Sequence, residues 1–303
     1  MSKPRRTISF TISCYRSEHT IEQVINEIID IVNASNLYDY EIICVNDCSP
    51  DNVIDVLKRL SMNNSHIKVI DMARNSGKHA GLLAAYHYVT GEYVVAVDDD
   101  GESPIQHLWE LIDALDEGAD VAIARYTKRE VSGIKRLESS INDYIIRKLM
   151  QKPKGLVFSN FIARKRFVCD YLMQYCGPYP NLEGATLSIT RNIVMIDMPE
   201  RARISGKSGF TFIRGFNLFI NGCTTYSYAL FHFALILSIA CIVLAFVHAI
   251  ILILNEQSLY EAIILILFSF VFFFIYLLGE YVGRAYMNLN SIPQYVIRKT
   301  YNC

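Results

Sequence analysis

The sequence predicts an α/β domain on a mostly parallel sheet, followed by an amphipathic interfacial helix and two C-terminal transmembrane helices. Three observations carry this. Apolar runs of strand period alternate with runs of helix period over the first 125 residues, the pattern of right-handed β-α-β crossovers. Polar clusters follow the strand runs, where an open α/β sheet receives its ligands. Charge is also unevenly spread. Residues 228–279 hold two of the 59 charged side chains, Glu256 and Glu261, and the other 251 residues hold 57, about 23%. That is close to the soluble average of roughly a quarter.

The elements follow in order. Thr7–Cys14 reads as a strand. Glu18–Val32 reads as a helix with Ile21, Val24, Ile25, Ile28 and Ile29 on one face. Tyr40–Val45 is a β-branched strand run, and a helix follows from about Asp51 to Leu60. Ile67–Met72 is a strand and Gly77–Val89 a helix. Glu92–Val97 is a strand, then Pro104–Glu117 a helix with proline near its first turn. Asp120–Ala124 is a short strand. No internal repeat or low-complexity stretch occurs.

Tyr228–Leu254 is 27 residues without a charge and Ala262–Gly279 is 18 more, against the about 20 apolar residues a spanning helix needs. The linker Asn255–Glu261 allows only a tight hairpin. It has no Lys or Arg, whereas Lys207 and Arg214 precede the first span and Arg284, Arg298 and Lys299 follow the second. Both ends are therefore predicted to be cytoplasmic, in an inner or plasma membrane. Gly209–Thr225 carries aromatic and aliphatic residues around Arg214 and Asn217, as a segment in the membrane interface would. The predicted divisions are the α/β domain over 1–205, a loop and interfacial helix over 206–227, a hairpin over 228–283 and a cytoplasmic tail over 284–303. Met1–Arg6 is basic but no apolar signal sequence follows. The eight cysteines form no C-x-x-C pair, as expected of free thiols in a reducing compartment. A net charge of −1 argues against binding nucleic acid through bulk charge.

The strand-end residues are Tyr15 to Glu18, Asn46-Asp47-Cys48-Ser49, Arg74-Asn75-Ser76-Gly77 and Asp98-Asp99-Asp100. No G-x-G-x-x-G and no G-x-x-x-x-G-K-[ST] occurs, which excludes the usual dinucleotide and P-loop fingerprints. In extended chain, residues i and i+2 point the same way. Asp98 and Asp100 can therefore converge, with Asp99 turned aside and Glu102 as a third carboxylate. Such a set suits Mg²⁺ or Mn²⁺ with open positions for phosphates; an acidic loop facing solvent is the other reading of D-x-D alone.

Taken together, Tyr15-x-x-Glu18, Asn46-Asp47-x-Ser49-x-Asp51, Arg74-Asn75-x-Gly77 and V-D-D-D after T-G-E-Y-V-V-A resemble the nucleotide-binding half of family 2 glycosyltransferases with the GT-A fold. Glu200–Thr211 (E-R-A-R-I-S-G-K-S-G-F-T), Leu278–Tyr286 and Pro293–Arg298 resemble the membrane-proximal loop, second span and tail of its polyprenyl-phosphate transferases. The resemblance covers nearly the whole chain. It implies a nucleotide-sugar donor, a UDP-sugar, bound by Tyr15, Glu18, Asp47, Asn75, Lys78, Asp98, Asp99 and Arg125. It implies a metal on Asp98, Asp100 and Glu102. The acceptor, a polyprenyl phosphate such as undecaprenyl phosphate, would meet Arg136, Ser139, Arg201, Arg203, Lys207 and Ser208, with Lys135 nearby. Its phosphate oxygen would attack the anomeric carbon with inversion. The resemblance also implies a homo-oligomer, a tetramer in the family, resting in the lipid bilayer.

The base is less directly marked. Many relatives carry D-F-R where this chain has Ser159-Asn160-Phe161-Ile162. Either the anionic acceptor needs no strong base, or Glu183, in N-L-E-G, supplies one. Three other readings compete. A processive polysaccharide synthase is excluded by the lack of a Q-x-x-R-W signature, since the only tryptophan is Trp109. A transferase acting on a glycan and an inactive membrane scaffold remain.

Overall fold

The β-branched run beginning at Arg6 forms the central strand. In the computed structural model, which describes residues 6–35, 37–127, 153, 155–175, 180–199, 201, 204, 260–289 and 293–303, β1 (Arg6–Cys14) is flanked by β2 (Tyr38–Asn46) and β4 (Tyr93–Val97), both parallel to it. β3 (Ile67–Met72) lies parallel beyond β2. Helices α1 (Ile21–Ser35), α2 (Val53–Asn63) and α3 (Lys78–Tyr86) make the crossovers. After β4 a 3₁₀ turn at Ile105–His107 leads into α4 (Leu108–Asp116) and β5 (Val121–Thr127).

The alternation of β1 explains how its two faces are covered. Ile8, Phe10 and Ile12 join Ile21, Val24, Ile25, Ile28, Leu57, Leu108 and Leu111 in one core. Each fully buried aliphatic side chain contributes about 1.5–3 kcal/mol. Ser9 and Thr11, on the opposite face, are also buried. There α3 approaches closely because Gly81 lacks a side chain; a Cβ on it would lie 2.7 Å from Ser13 Oγ.

The described strands form one eight-stranded sheet in the order β7-β5-β6-β4-β1-β2-β3-β8. The neighbours β4, β1, β2 and β3 are mutually parallel, and β6 (Ile162–Lys165) runs antiparallel to β4 and β5. α5 (Arg166–Leu172), α6 (Leu182–Ile189) and β7 (Ile193–Pro199) follow, with β7 parallel to β5. β8 (Ile297–Tyr301) pairs antiparallel with β3. The segment expected to be a plain cytoplasmic tail therefore closes one edge of the catalytic sheet.

The chain divides into Met1–Ile141, Pro153–Gly209 and Pro293–Cys303 as one compact unit, and Asn142–Lys152 with Phe210–Ile292 as the other. In the second, the described residues form one helix, α7 (Tyr260–Leu289). The expected interfacial helix and first span lie outside the described residues. Among the described residues no helix is long and apolar enough to cross a membrane, so the structure does not supply the two-span hairpin that the sequence predicts. α7 contains the uncharged stretch Ala262–Gly279 and runs past its expected end at residue 283.

Candidate active site

Register brings four loops together. Cys14 pairs with Asn46, Asn46 with Asp71, and Ile12 with Val97. β1, β2, β3 and β4 thus end at nearly one level, and the polar clusters after them meet there.

The first two loops are bound to each other. The Arg16 N–H donates to Ser49 Oγ at 2.7 Å, and Ser49 Oγ donates to Asp51 Oδ1 at 2.6 Å. The Glu18 N–H donates to Asp51 Oδ2 at 3.0 Å, and Glu18 Oε2 accepts from the Asn52 N–H at 2.8 Å. Arg16 and Cys48, one in each loop, have φ of 59° and 48°, strained values for residues with a Cβ. Tyr15 is 42% exposed, with the Arg16 guanidinium 5.5 Å from its ring centre. It offers an open aromatic face.

Asp47 joins the second loop to the third. Its two oxygens accept from the Ser76 N–H at 2.7 Å and the Gly77 N–H at 2.8 Å. Burial raises its pKa, and those two hydrogen bonds oppose the rise. Gly77 has φ +87°, a conformation glycine adopts without strain. Asn75 is exposed in this loop. Lys78, in the first turn of α3, pairs with Asp98.

In the fourth loop, one oxygen from each of Asp98, Asp100 and Glu102 lies within 4.8 Å of the others. Three hard carboxylate donors with room for further oxygen ligands fit a divalent cation such as Mg²⁺ or Mn²⁺. Ser103, fully buried, orients Asp98: its Oγ accepts the Asp98 N–H at 3.0 Å and donates to Asp98 Oδ2 at 3.3 Å. Asp100 Oδ1 accepts the Glu102 N–H at 3.1 Å. Asp99 points elsewhere, its Oδ2 accepting the Tyr15 N–H at 2.9 Å. Burial pushes its pKa up to about 6, against the pull of Tyr15, Ser17 and Lys78.

Two residues that the sequence did not single out complete this corner. The Ile204 N–H donates to the Asp100 carbonyl at 3.0 Å. Its Cδ1 would lie 2.3 Å from a Cβ on Gly101, which has φ +81°. The Tyr126 hydroxyl is buried, with Ser159 beside it. Burial, then the nearby charges of Asp98, Glu102 and Asp100, raise its pKa. Its only signal in the sequence was its position beside Arg125.

Other expected site residues have different surroundings. Arg125 was expected to open a loop after β5. It lies within β5 and pairs with Asp197 on β7, because the strand extends to Thr127. Arg201 donates to both oxygens of Glu27 on α1, at 2.6 and 2.8 Å. Its fork is satisfied by a carboxylate in this structure, where a phosphate had been expected. Glu183 sits in the first turn of α6, which Asn181 caps by accepting the Gly184 N–H. The Leu182 N–H donates to His79 Nδ1 at 2.9 Å, docking the start of α6 against the start of α3. Lys135, Arg136, Ser139, Arg203, Lys207 and Ser208 lie outside the described residues.

Comparison with known proteins accords with this geometry. Residues 9–171 match the family described as glycosyl transferase family 2. The chain is 25% identical over 305 residues to undecaprenyl-phosphate 4-deoxy-4-formamido-L-arabinose transferase of Proteus mirabilis (strain HI4320), covering 96% of this chain and 93% of the relative. The fold is similar to glucosyl-3-phosphoglycerate synthase from Mycobacterium tuberculosis in complex with Mn²⁺, uridine-diphosphate-glucose and phosphoglyceric acid. That match has a TM-score of 0.55 and 19% identity, and covers 73% of this chain and 78% of that one. The complex of the same synthase with Mn²⁺ and uridine-diphosphate-glucose gives a TM-score of 0.54 at 18% identity, over 73% and 77% of the two chains. These matches and the strand-end site agree on a GT-A-like sheet and on glycosyl transfer, and the chain belongs to glycosyl transferase family 2.

Proposed function

We propose that this chain is a membrane-anchored inverting glycosyltransferase. It would move a sugar from a nucleotide donor, a UDP-sugar, to a polyprenyl phosphate on the cytoplasmic face. The observation that carries this is the Asp98–Asp100–Glu102 trio at the meeting of the strand-end loops. It occurs in a chain similar over 96% of its length to a protein named as an undecaprenyl-phosphate sugar transferase.

On this reading the donor's base and ribose lie against the loops of Tyr15, Glu18, Asp47 and Asn75. Asp98, Asp100 and Glu102 would hold Mg²⁺ or Mn²⁺, and a cation bound there would offset negative charge on a departing diphosphate. Lys78 adds a second positive group. Ser103 fixes the orientation of Asp98, and Ile204 holds the Asp100 backbone. The acceptor phosphate is an anion at neutral pH and attacks without deprotonation by a strong base; Glu183 is the candidate should one act. Arg136, Ser139, Arg203, Lys207 and Ser208 form the acceptor set. Arg201 serves it indirectly by tying the loop to Glu27.

Support for the anchor is the near-absence of charge over residues 228–279. In addition, Val271, Ile275, Leu278 and Val282 are exposed on α7, as side chains facing lipid would be.

The test is to incubate the purified protein and Mn²⁺ with a panel of nucleotide sugars, with and without undecaprenyl phosphate. Nucleoside diphosphate released only with the lipid phosphate supports the proposal. Equal release with a water-soluble glycan, or none with any donor, would sink it.

A further inference from the structure

We propose that Arg298, on the edge strand β8, is a positioning residue for the donor pocket, acting through a chain of hydrogen bonds that runs by way of the buried Asp71 and Asn46 to the strand-end loops. The inference rests on the donor reading above and adds a residue outside the four loops that carry it.

The path is continuous. Arg298 Nη1 donates to Asp71 Oδ2 at 3.3 Å. Asp71 is only 6% exposed, and its Oδ1 accepts from Asn46 Nδ2 at 2.8 Å. Asn46 Oδ1 then accepts the Ser49 N–H at 3.1 Å. Ser49 Oγ holds the Arg16 N–H and Asp51, and Asp51 holds the Glu18 N–H. Four steps thus connect the last strand to the backbone beside Tyr15.

Chemistry fixes the direction of each step. An ionised carboxylate only accepts, so Asp71 forces the NH₂ of Asn46 toward itself and leaves the amide oxygen for Ser49. A buried carboxylate needs compensation, and the guanidinium supplies it. Without Arg298, the Asp71 carboxylate loses that compensation and gains by turning toward water. That change frees the Asn46 amide to turn, and the Ser49 loop loses its anchor.

A second grip reaches the third loop. The Ala73 N–H donates to the Val296 carbonyl at 2.8 Å, and Arg298 Nη2 donates to the Ala73 carbonyl at 3.3 Å. Arg74 Nη2 donates to the Pro293 carbonyl at 2.7 Å. These contacts place the loop whose Ser76 and Gly77 hold Asp47. Residues 293–298 therefore bear on both walls of the proposed nucleotide pocket.

Arg298→Met keeps the aliphatic stem and removes the fork; Arg298→Lys restores the charge without it. The full-length variants are compared with wild type by hydrogen exchange, by UDP binding with Mn²⁺ and by steady-state kinetics. In Arg298→Met, exchange should quicken at residues 15–18 and 46–52 while α4 stays as protected as before. The UDP Kd should rise about fivefold to tenfold, less than the loss of a charge-assisted hydrogen bond made directly to the ligand because Arg298 acts through other residues, with kcat at saturating donor within about twofold. Arg298→Lys should fall between. Unchanged exchange in both loops together with an unchanged UDP Kd would overturn the inference, as would a loss of kcat at unchanged Kd. A wild-type protein that binds no nucleotide would sink the donor reading, and the exchange comparison would still decide the coupling.

Discussion

His79 stands between two positive groups, Lys78 and Arg164, and its Nδ1 accepts the Leu182 N–H. Burial first, then those two charges, lowers its pKa from 6.5 to about 4. The neutral ring is therefore the form the fold requires. Above pH 6.5 it is neutral in folded and unfolded chains alike, and its contribution to stability is constant. Between about 6.5 and 4 the unfolded chain takes up a proton that the folded chain refuses, so stability falls as pH falls through that window. The melting temperature of the purified chain should drop over this range, and His79→Gln, which keeps an acceptor and loses the proton site, should flatten the drop. An identical pH profile for the variant would refute the assignment. Lys78 makes a separate case. Its ammonium pairs with Asp98, a carboxylate that a divalent cation would also use, so the two cations compete. Lys78→Met should tighten Mn²⁺ binding without nucleotide by about threefold to tenfold, the scale of one partly exposed ion pair. It should also weaken UDP binding. Mn²⁺ titration by electron paramagnetic resonance reads the first effect directly, and weaker Mn²⁺ binding in the variant would contradict it.

At the scale of elements, the loop after β4 and the segment around Ile204 act as one piece, joined by the Asp100 carbonyl and by the fit of Ile204 over Gly101. Gly101→Ala adds a Cβ into the Ile204 side chain and forces φ +81° on an L-residue. A cost of about 1–3 kcal/mol is expected from the backbone alone. Activity should fall with weakened metal binding, and Gly101→Ala combined with Ile204→Ala should regain part of the melting temperature but not the whole. A double variant no more stable than Gly101→Ala would show that the contact contributes nothing. The elements also differ in how plainly the sequence announces them. β1 to β5 and α1 to α4 were legible because their apolar residues follow a single period for a full element. Even there, the helix expected over Pro104–Glu117 begins as a 3₁₀ turn at Ile105. β6 was hidden in four residues, I-A-R-K, and β8 in I-R-K-T-Y, which is mostly polar; pairing with a distant neighbour makes each a strand. The same holds for the site. The aspartates could be read from local spacing. The partners of Arg125 and Arg201 could not, because Asp197 and Glu27 come from elements far along the chain.

For the whole molecule, the decisive fact is that the sheet draws on both sides of the apolar region. Pro293–Cys303 belongs to the same compact unit as Met1–Ile141 and Pro153–Gly209, and β8 covers the outer edge of β3. A truncation at Gly209 would therefore remove the proposed anchor and a strand together, exposing unpaired backbone at a sheet edge, which promotes association between chains. Its failure would say nothing about the membrane. A cleaner dissection replaces residues 210–292 with a Gly/Ser linker of about ten residues, whose ends lie roughly 17 Å apart on average. This chain keeps β8, the Arg298–Asp71 contact and all four strand-end loops. It should be soluble without detergent, keep the wild-type UDP Kd within about twofold, and lose at least about tenfold in transfer to undecaprenyl phosphate in vesicles, where binding to the bilayer supplies a high effective concentration of acceptor. A short, water-soluble polyprenyl phosphate should be used far more nearly as well as by the full chain. Equal transfer to the vesicle-bound lipid by both proteins would mean that residues 210–292 do not bring the site to its acceptor, and the proposed anchoring role would have to be abandoned.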